Sequence, residues 1–465
     1  MKNTLGYVIF MAVVAAIGGI LFGYDTAVIS GTTEIVKNQF HLTDMMEGWY
    51  VGCALIGSIC GVLVAGSLSD YLGRKLTMLI SAALFSISAI GCAVCGSFDG
   101  LVAYRIVGGV GIGIVSIVSP IYISEVSPAK IRGTLVSLYQ LAVTIGFLLA
   151  YMANWAIDAN IDTSMVLGDP DLTLWQRIMN TEAWRGMLGS ETLPALLFFF
   201  IIFFIPESPK WLIVNGRLDK ASQVLNKIYA TSEEVAEEIK ATKESLGGET
   251  KGAWADLLKP GILVAVIAGS AIAILGQFMG VNAVLYYGPK IFSEAGFDNP
   301  MFSTVLVGIV NMVTTVLAVF IIDKVGRKQL IYWGVSGMIL CLLAIGIYFA
   351  WGDVLGLGNA FMLTFFLAYV FCTAISICAV VFVLLSEMYP NSVRGRAMSI
   401  AGFALWIGTY LIGQLTPVLL GWSQAGTFFI FAVMCVPYML IMWKVIPETT
   451  GKTLEEIEAY WTRRK

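Results

Sequence analysis

Residues 124–133 read SEVSPAKIRG, and residues 386–395 read SEMYPNSVRG. Both fit the pattern S-E-x-x-P-x-x-x-R-G, and each follows the fourth long apolar run of its half of the chain. Two further motif pairs recur in the same order: DYLGRK (70–75) with DKVGRK (323–328), and PESPKWL (206–212) with PETTGKTL (447–454). Ordered self-similarity of this kind indicates a repeated structural unit. The sequence therefore predicts two halves with the same order of elements.

The composition shows whether these halves fold in water or in a membrane. Of the 465 residues, 58% are hydrophobic and 13% are charged, whereas a soluble domain is about 45–50% apolar and about 25% charged. A soluble core is therefore excluded. The eight cysteines lie in apolar segments, where we expect them to pack, and the single histidine, His41, lies in a polar connection. We therefore expect no histidine-based metal site.

Twelve apolar runs are long enough to cross a bilayer, which takes about 20 residues. They are residues 7–30, 48–69, 77–96, 101–123, 133–156, 186–205, 261–288, 302–322, 330–350, 359–386, 397–420 and 425–446. Basic residues concentrate in every second connection, and the positive-inside rule then places both termini in the cytoplasm. The predicted fold class is an all-α membrane protein with twelve transmembrane helices in two six-helix halves.

The polar stretches divide the chain into four predicted parts. They are an N-terminal six-helix half (1–205), a cytoplasmic linker (206–259), a C-terminal six-helix half (260–446) and a cytoplasmic tail (447–465). The linker holds charges at helical spacing, so we predict helices there. Either a gating role or a plain solvated surface fits it. A second long polar stretch, 157–185, faces outside and carries no function that we can assign.

Charged residues in the repeated motifs bracket the cytoplasmic ends of the spans. Opposite charges at helix ends can form ion pairs that are made in one conformation and broken in another. We predict such a cytoplasmic latch; the alternative is that these charges only fix topology and helix packing. The latch residues are Asp70, Arg74, Glu125 and Arg132 in the first half, and Asp323, Arg327, Glu387 and Arg394 in the second.

One glycine-rich stretch, GGVGIG (108–113), lies inside a predicted span. Small residues in a span let two helices approach closely, so the stretch indicates helix packing. No G-x-x-x-x-G-K-[ST] motif occurs in the sequence, and nothing else suggests ATP use. No nucleophile–base arrangement stands out either, so we do not expect an enzyme.

Together the motifs resemble the sugar porter family of the major facilitator superfamily, and within it the bacterial proton-linked pentose and hexose symporters. The resemblance covers nearly the whole chain. It rests on GYDTAVISG (23–31), the two D-x-x-GRK loops, YRIVGG (104–109), SEVSPAKIRG, PESPKWL, QFMGVNAVLYY (277–287), SEMYPNSVRG and PETTGKTLEE (447–456). It implies the major facilitator fold, a sugar and a proton as transported partners, and no cofactor.

An acidic residue at membrane depth calls for a partner. The stretch from Gly6 to Phe22 contains no charged residue, yet Asp25 follows in the same predicted span. A carboxylate there costs about 3 kcal/mol or more and usually marks a pathway or a proton relay. Topology places Arg105 and Glu191 at a similar depth. The resemblance implies that Asp25 and Arg105 are the proton-coupling pair, with Glu191 as an accessory; the alternative is a static buried ion pair.

Polar and aromatic residues deep in the spans are the candidates for a sugar site. The resemblance implicates Gln140, Gln277, Asn282, Asn311, Phe382 and Trp406 in substrate binding, and Tyr286 and Tyr287 in an extracellular gate. Alternatively, each amide only joins helices within the membrane. The chain departs from the family pattern at Gly276, Cys378-Ala379, Phe382, Leu405 and Phe147. These departures leave the identity of the sugar open and leave the bend of the tenth span without its usual Gly-Pro pair.

The sequence thus predicts proton-coupled import of a pentose or hexose by alternating access across the bacterial inner membrane. We expect a monomer embedded in the lipid bilayer, with no metal and no nucleic acid as partners. Three alternatives stay open: a passive sugar facilitator, a polyol or inositol–proton symporter, and a sugar sensor that does not transport.

Overall fold

The computed structural model describes residues 2–162, 165, 171–248, 254–390, 393–449, 452 and 454–462. Throughout these residues the regular elements are helices, and twelve are long and apolar enough to cross a membrane. We number the spans 1 to 12 in chain order: Leu5–Gly31, Asp44–Leu72, Arg74–Val94, Phe98–Val126, Arg132–Asp158, Ala183–Phe204, Pro260–Glu294, Pro300–Ile322, Arg327–Leu355, Asn359–Met388, Arg394–Trp422 and Gln424–Lys444. The predicted all-α, twelve-span fold class is confirmed.

Shorter helices lie between and after the spans. Thr33–Phe40 follows span 1, three linker helices follow span 6 (Pro209–Val214, Leu218–Ile228 and Ser232–Gly248), and Leu454–Thr462 follows span 12. The second linker helix buries Ala221, Leu225 and Ile228. Residues three and four apart share one face of a helix, so this helix packs with one apolar stripe. The linker is helical, as its charge spacing predicts.

The described chain forms two compact units. The first comprises Met1–Ile35 and Cys53–Glu249, and the second comprises Val36–Gly52 and Thr250–Lys465. The second unit therefore includes the start of span 2, which the sequence assigns to the N-terminal half. The four predicted parts of the chain stay predictions.

In the first unit, glycines bring spans 2 and 4 into backbone contact. A Cβ atom at Gly109 would lie 2.0 Å from the carbonyl oxygen of Ala54, and one at Gly113 would lie 2.1 Å from that of Ser58. Real Cβ atoms do not approach so closely, and only glycine allows this helix spacing. Helix packing by the GGVGIG stretch is therefore confirmed.

In the second unit, span 7 is broken at Gly280. One helix runs Pro260–Phe278 and the next Val281–Glu294, with Gly280 between them at φ +90°. Residues with a Cβ avoid this left-handed backbone. The Phe431 ring also occupies the space that a Cβ would need, with its Cδ2 only 2.4 Å away.

The tenth span is irregular even without the Gly-Pro pair. Its helix runs Asn359–Thr373, widens into a π-helix over Ala374–Cys378, and continues as Ala379–Met388. A π-turn interrupts the regular i to i−4 hydrogen bonds and is a recognised cause of helix bending. The irregularity thus ends at Cys378, one of the two residues that replace Gly-Pro.

Gly280→Ala should destabilise the protein, because the new methyl group meets Phe431 and the positive φ is strained. The backbone strain alone is worth about 1–2 kcal/mol. We expect a lower thermal unfolding midpoint for the purified protein in detergent. Gly402→Ala is the matched control, since a Cβ at Gly402 meets no atom within 4 Å. Equal midpoints for the two variants would contradict this account of the break.

Candidate functional site

A buried ion pair joins spans 1 and 4 in the first unit. Arg105 donates from Nη1 to Oδ1 of Asp25 at 2.5 Å, and the two side chains are 3% and 1% exposed. The sequence predicts a shared depth for these residues, and the structure brings them into direct contact. Desolvated charges of this kind are tolerated only when they are paired.

Glu191 is the third member of this buried group. It lies in span 6, between the helices Ala183–Ser190 and Thr192–Ile201, and its carboxyl is within hydrogen-bonding reach of Asp25. The neighbouring residues are joined as well, because the Tyr24 hydroxyl and the Ser190 Oγ are 2.7 Å apart. Asp25 Oδ2 and Glu191 Oε1 are buried without a hydrogen-bond partner among the described residues. Two carboxyls thus face one guanidinium.

The break in span 7 places two of the predicted sugar-binding amides together. Asn282 donates from Nδ2 to Oε1 of Gln277 at 2.6 Å, and Thr409 of span 11 donates to the same oxygen at 3.2 Å. Gln277 Nε2 and Asn282 Oδ1 make no hydrogen bond within the described residues, so the pair offers one donor and one acceptor. Sequence reasoning missed Thr409, although it is a polar residue three positions after Trp406.

The remaining candidates are less closely connected. Asn311 of span 8 is nearly buried, and its side chain makes no hydrogen bond to the part of the chain that the structure describes. Trp406 is half-buried, Phe382 is 54% exposed, and Gln140 in the first unit is exposed. Their roles in binding stay predictions.

The two predicted gate tyrosines, Tyr286 and Tyr287, are buried. Tyr287 departs from helical geometry at φ −118° and ψ 16°, and its hydroxyl donates to the carbonyl oxygen of Gly413 at 2.7 Å. Pro289 explains the departure, because proline has no N–H to donate back along the helix to Leu285. Tyr286 is also buried. Span 7 therefore has a second irregular point close to the predicted gate.

The repeated motifs form the same contact in both units. Arg74 donates from Nε and Nη2 to the two oxygens of Glu125 at 3.0 and 3.1 Å, and from Nη1 to Asp70 at 3.0 Å. Arg327 donates to Glu387 at 3.0 Å. Two-pronged arginine–carboxylate pairs are among the stronger polar contacts.

Two predicted latch residues, Arg132 and Arg394, stand apart from these pairs. Arg132 donates to the carbonyl oxygen of Ser127 at 3.3 Å, and Arg394 donates to that of Tyr389 at 3.4 Å. Each arginine therefore binds the backbone carbonyl of the fourth residue of its own motif, rather than a carboxylate among the described residues. The Asp323 side chain lies outside the described residues.

The third motif pair completes the contact. The Ser208 hydroxyl donates to Glu125 at 2.5 Å, and the Thr449 hydroxyl donates to Glu387 at 2.6 Å. The preceding acids bind helix starts: Glu207 accepts from the backbone N–H of Arg74 at 2.8 Å, and Glu448 accepts from that of Lys328 at 3.2 Å. Sequence reasoning gave these four residues no role, although the repeat marks them.

Glu207 also explains the glycine of the first D-x-x-GRK loop. Gly73 has φ +94°, and a Cβ there would lie 2.3 Å from Glu207 Oε2. Burial raises the pKa of Glu207, and hydrogen bonds from the backbone N–H groups of Ser208, Lys75 and Arg74 oppose that rise. Gly326, in the matching motif, has φ +94° as well.

A second charge cluster lies in the second unit and was not predicted. Glu47, with no exposed side-chain surface, accepts from Lys290 at 2.8 and 2.9 Å and faces Lys37 at 2.8 Å. Lys37 also bonds to Asp44 at 2.5 Å. Burial works to lower the pKa of Lys37, but the hydrogen bonds to Asp44 and Glu47 outweigh it and raise that pKa. Lys37 therefore stays charged at physiological pH.

Comparison with known proteins now identifies the family. Residues 11–461 match the family described as Sugar (and other) transporter. The chain belongs to this sugar transporter family. It is 37% identical to the arabinose-proton symporter of Bacillus subtilis, over 99% of this chain and 97% of that protein. It is 38% identical to the D-xylose-proton symporter of Escherichia coli K12, over 98% and 96%.

The transporter is also similar to solved structures. The inward open conformation of the xylose transporter XylE from E. coli matches with a TM-score of 0.84 and 35% identity, over 98% of this chain and all of that one. Its partially occluded inward open conformation matches with a TM-score of 0.83. The chain is accordingly a multi-pass membrane transporter and not an enzyme, and the resemblance seen in its motifs is confirmed.

Glu47→Gln should destabilise the second unit, because Lys37 and Lys290 would lose a buried carboxylate. Hydrogen bonds to charged groups are worth about 1.5–3 kcal/mol, and the partial exposure of both lysines favours the lower end. We expect a lower thermal midpoint, with a smaller loss when Lys290→Gln is already present. Glu34→Gln, at an exposed carboxylate, is the control. Additive effects of the Glu47 and Lys290 substitutions would refute the coupling.

Proposed function

We propose that the protein imports a monosaccharide together with a proton across the bacterial inner membrane. The buried group of Asp25, Arg105 and Glu191 is the observation that carries this proposal. The arabinose-proton and D-xylose-proton symporters, both carriers of pentoses, support it as relatives of high coverage. We expect a monomer with both termini in the cytoplasm, in keeping with its basic connections.

The charges of the buried group supply a coupling mechanism. Two carboxylates and one guanidinium sum to one negative charge unless a carboxyl holds a proton. A buried unpaired charge is expensive, so the group gains from binding one proton. Protonation of Asp25 removes the charge that holds Arg105, and the released guanidinium lets spans 1 and 4 rearrange. Glu191, which interacts with Asp25, is proposed to share the proton.

The sugar is proposed to bind at the amide pair of span 7. Gln277 Nε2 and Asn282 Oδ1 offer the donor and the acceptor that adjacent sugar hydroxyls require, and few convergent polar groups in an apolar site are typical of ligand pockets. Asn311, Phe382 and Trp406 of the same unit are proposed to complete the site. Gln140, in the first unit, stays a predicted substrate contact. Closure would bend span 7 at Gly280 and at the gate residues Tyr286 and Tyr287.

At the cytoplasmic ends, the paired motif contacts are proposed to act as the latch. Arg74 with Glu125 and Arg327 with Glu387 would be made in one state of the cycle and broken in another. Asp70 and Asp323 of the D-x-x-GRK loops, and Arg132 and Arg394 of the S-E-x-x-P motifs, are proposed to assist. The presence of the same contact in both units supports a role beyond topology.

Asp25→Asn should abolish concentrative uptake while leaving sugar exchange. In proteoliposomes with an inward proton gradient, we expect wild type to accumulate one member of a panel of pentoses, hexoses and polyols. The variant should carry that solute only to equal concentrations inside and outside, because its amide cannot carry the proton. Asp99→Asn, at an exposed aspartate of span 4, is the matched control and should accumulate like wild type.

Two outcomes of that experiment would count against the proposal. Uptake that ignores the gradient, with Asp25→Asn equal to wild type, would make Asp25 structural and the protein a passive facilitator. Accumulation of a polyol but of no pentose or hexose would keep proton coupling and replace the substrate class.

Asn282→Ala should weaken sugar binding by about 5- to 150-fold, because a buried group left without its hydrogen bond costs about 1–3 kcal/mol. Thr409→Val should have a smaller effect, since Thr409 acts by holding Gln277. The measurement is the sugar Kd of the purified protein by isothermal titration calorimetry. Asn359→Ala, outside the membrane core, serves as the control. An unchanged Kd for Asn282→Ala would remove this residue from the site.

A further inference from the structure

A basic groove in the first unit has no role in the transport cycle described above. It has a volume of about 740 Å³ and is lined by the end of span 2 at Leu72, by Pro206 just after span 6, and by the first and second linker helices. Trp211, Arg217, Lys220 and Lys227 also line it. We refer to it as the linker groove.

The linker groove carries uncompensated positive charge. Arg217, Lys220 and Lys227 form no ion pair with a carboxylate in the described part of the chain. The acid in the lining, Glu207, is already engaged by the backbone N–H groups of Arg74 and Lys75. Three cations therefore line a cavity whose one carboxylate is already bound to the start of span 3.

Aromatic rings position two of the cations. The Arg217 guanidinium lies 5.3 Å from the Trp211 ring centroid, and the Lys227 ammonium lies 5.6 Å from that of Tyr7. Cation–π contacts at such distances orient long side chains and leave their N–H donors available. The groove is thus partly organised for an anion.

The position of the linker groove relative to the bilayer follows from topology. The start of span 1, the end of span 2 and the end of span 6 lie on one side of the membrane, because two crossings return the chain to its starting side. Tyr71 and Phe204, at two of these ends, are 82% and 74% exposed. Exposed aromatic side chains at span ends are typical of the headgroup level. Leu72 and Pro206 of the groove lining, close in sequence to these rings, are therefore expected near the headgroup level.

We propose that the linker groove binds the headgroup of an anionic phospholipid, with Arg217, Lys220 and Lys227 around the phosphate. A lipid is the favoured source of the phosphate because the exposed aromatic residues Tyr71 and Phe204 lie one and two positions in sequence from the lining residues Leu72 and Pro206, where acyl chains could pack. Juxtamembrane basic clusters recognise anionic lipids in this way. The bound lipid would fasten the second linker helix to the ends of spans 2 and 6, and the proposal holds whichever solute is transported.

The test measures the binding of phosphatidylglycerol to the 465-residue protein in neutral detergent, with native mass spectrometry as the readout. The triple variant R217Q/K220Q/K227Q is compared with K130Q/K240Q/K243Q, which removes the same charge from exposed lysines outside the groove. We expect phosphatidylglycerol affinity to fall about fivefold for each groove charge removed. The control triple should bind like wild type, and phosphatidylcholine binding should be the same in all three proteins.

Three results would overturn the proposal. Equal losses in the two triple variants would show general charge attraction, and unchanged binding in the groove variant would exclude the site. Displacement of the lipid by millimolar inorganic phosphate, with the phosphate itself bound in the groove, would assign the site to a soluble anion. The single variant K220Q, at an exposed side chain, repeats the comparison if the triple variant folds poorly.

Discussion

The hydrocarbon core of a bilayer supplies no water to polar groups, and this constraint organises the whole structure. Backbone N–H and C=O groups must therefore hydrogen-bond to one another, which they do in helices, and every regular element that the structure describes is helical. A side chain such as Asp25 satisfies this constraint only by finding an opposite charge on another span. The contact between Asp25 and Arg105 thus joins spans 1 and 4 through chemistry that neither helix supports alone. Glu191 adds a carboxyl that the same guanidinium cannot fully balance.

The repeated motifs give the ends of the spans in both units the same set of polar contacts. Each unit repeats an arginine–glutamate pair, a hydroxyl that donates to that glutamate, and an acid that binds the start of a helix. The chemistry is retained while the residue changes, as when Ser208 in one unit corresponds to Thr449 in the other. A glycine with φ +94° precedes the arginine in both units, Gly73 in one and Gly326 in the other.

Function is proposed to concentrate where helices are interrupted. The break at Gly280 brings Asn282 onto Gln277. The irregular turn at Tyr287 falls on a predicted gate residue, and a π-turn before Ala379 interrupts span 10. A continuous helix keeps its polar backbone atoms occupied and its side chains at fixed intervals. An interruption frees both, so it provides a place for a polar ligand and a point for movement.

The sequence by itself determined the class, the twelve spans, the family and the pairing of Asp25 with Arg105. Each of these follows from local apolar runs, from motifs or from depth in the membrane, all of which can be counted along the chain. The tertiary structure alone decided the contacts of Ser208 and Thr449, the burial of Glu47 between two lysines, and the assignment of Arg132 and Arg394 to backbone carbonyls. These depend on which residues far apart in sequence come within about 3 Å. Such distances are set by helix packing and helix breaks. The hydrophobic periodicity of one segment does not predict which distant segment it will contact.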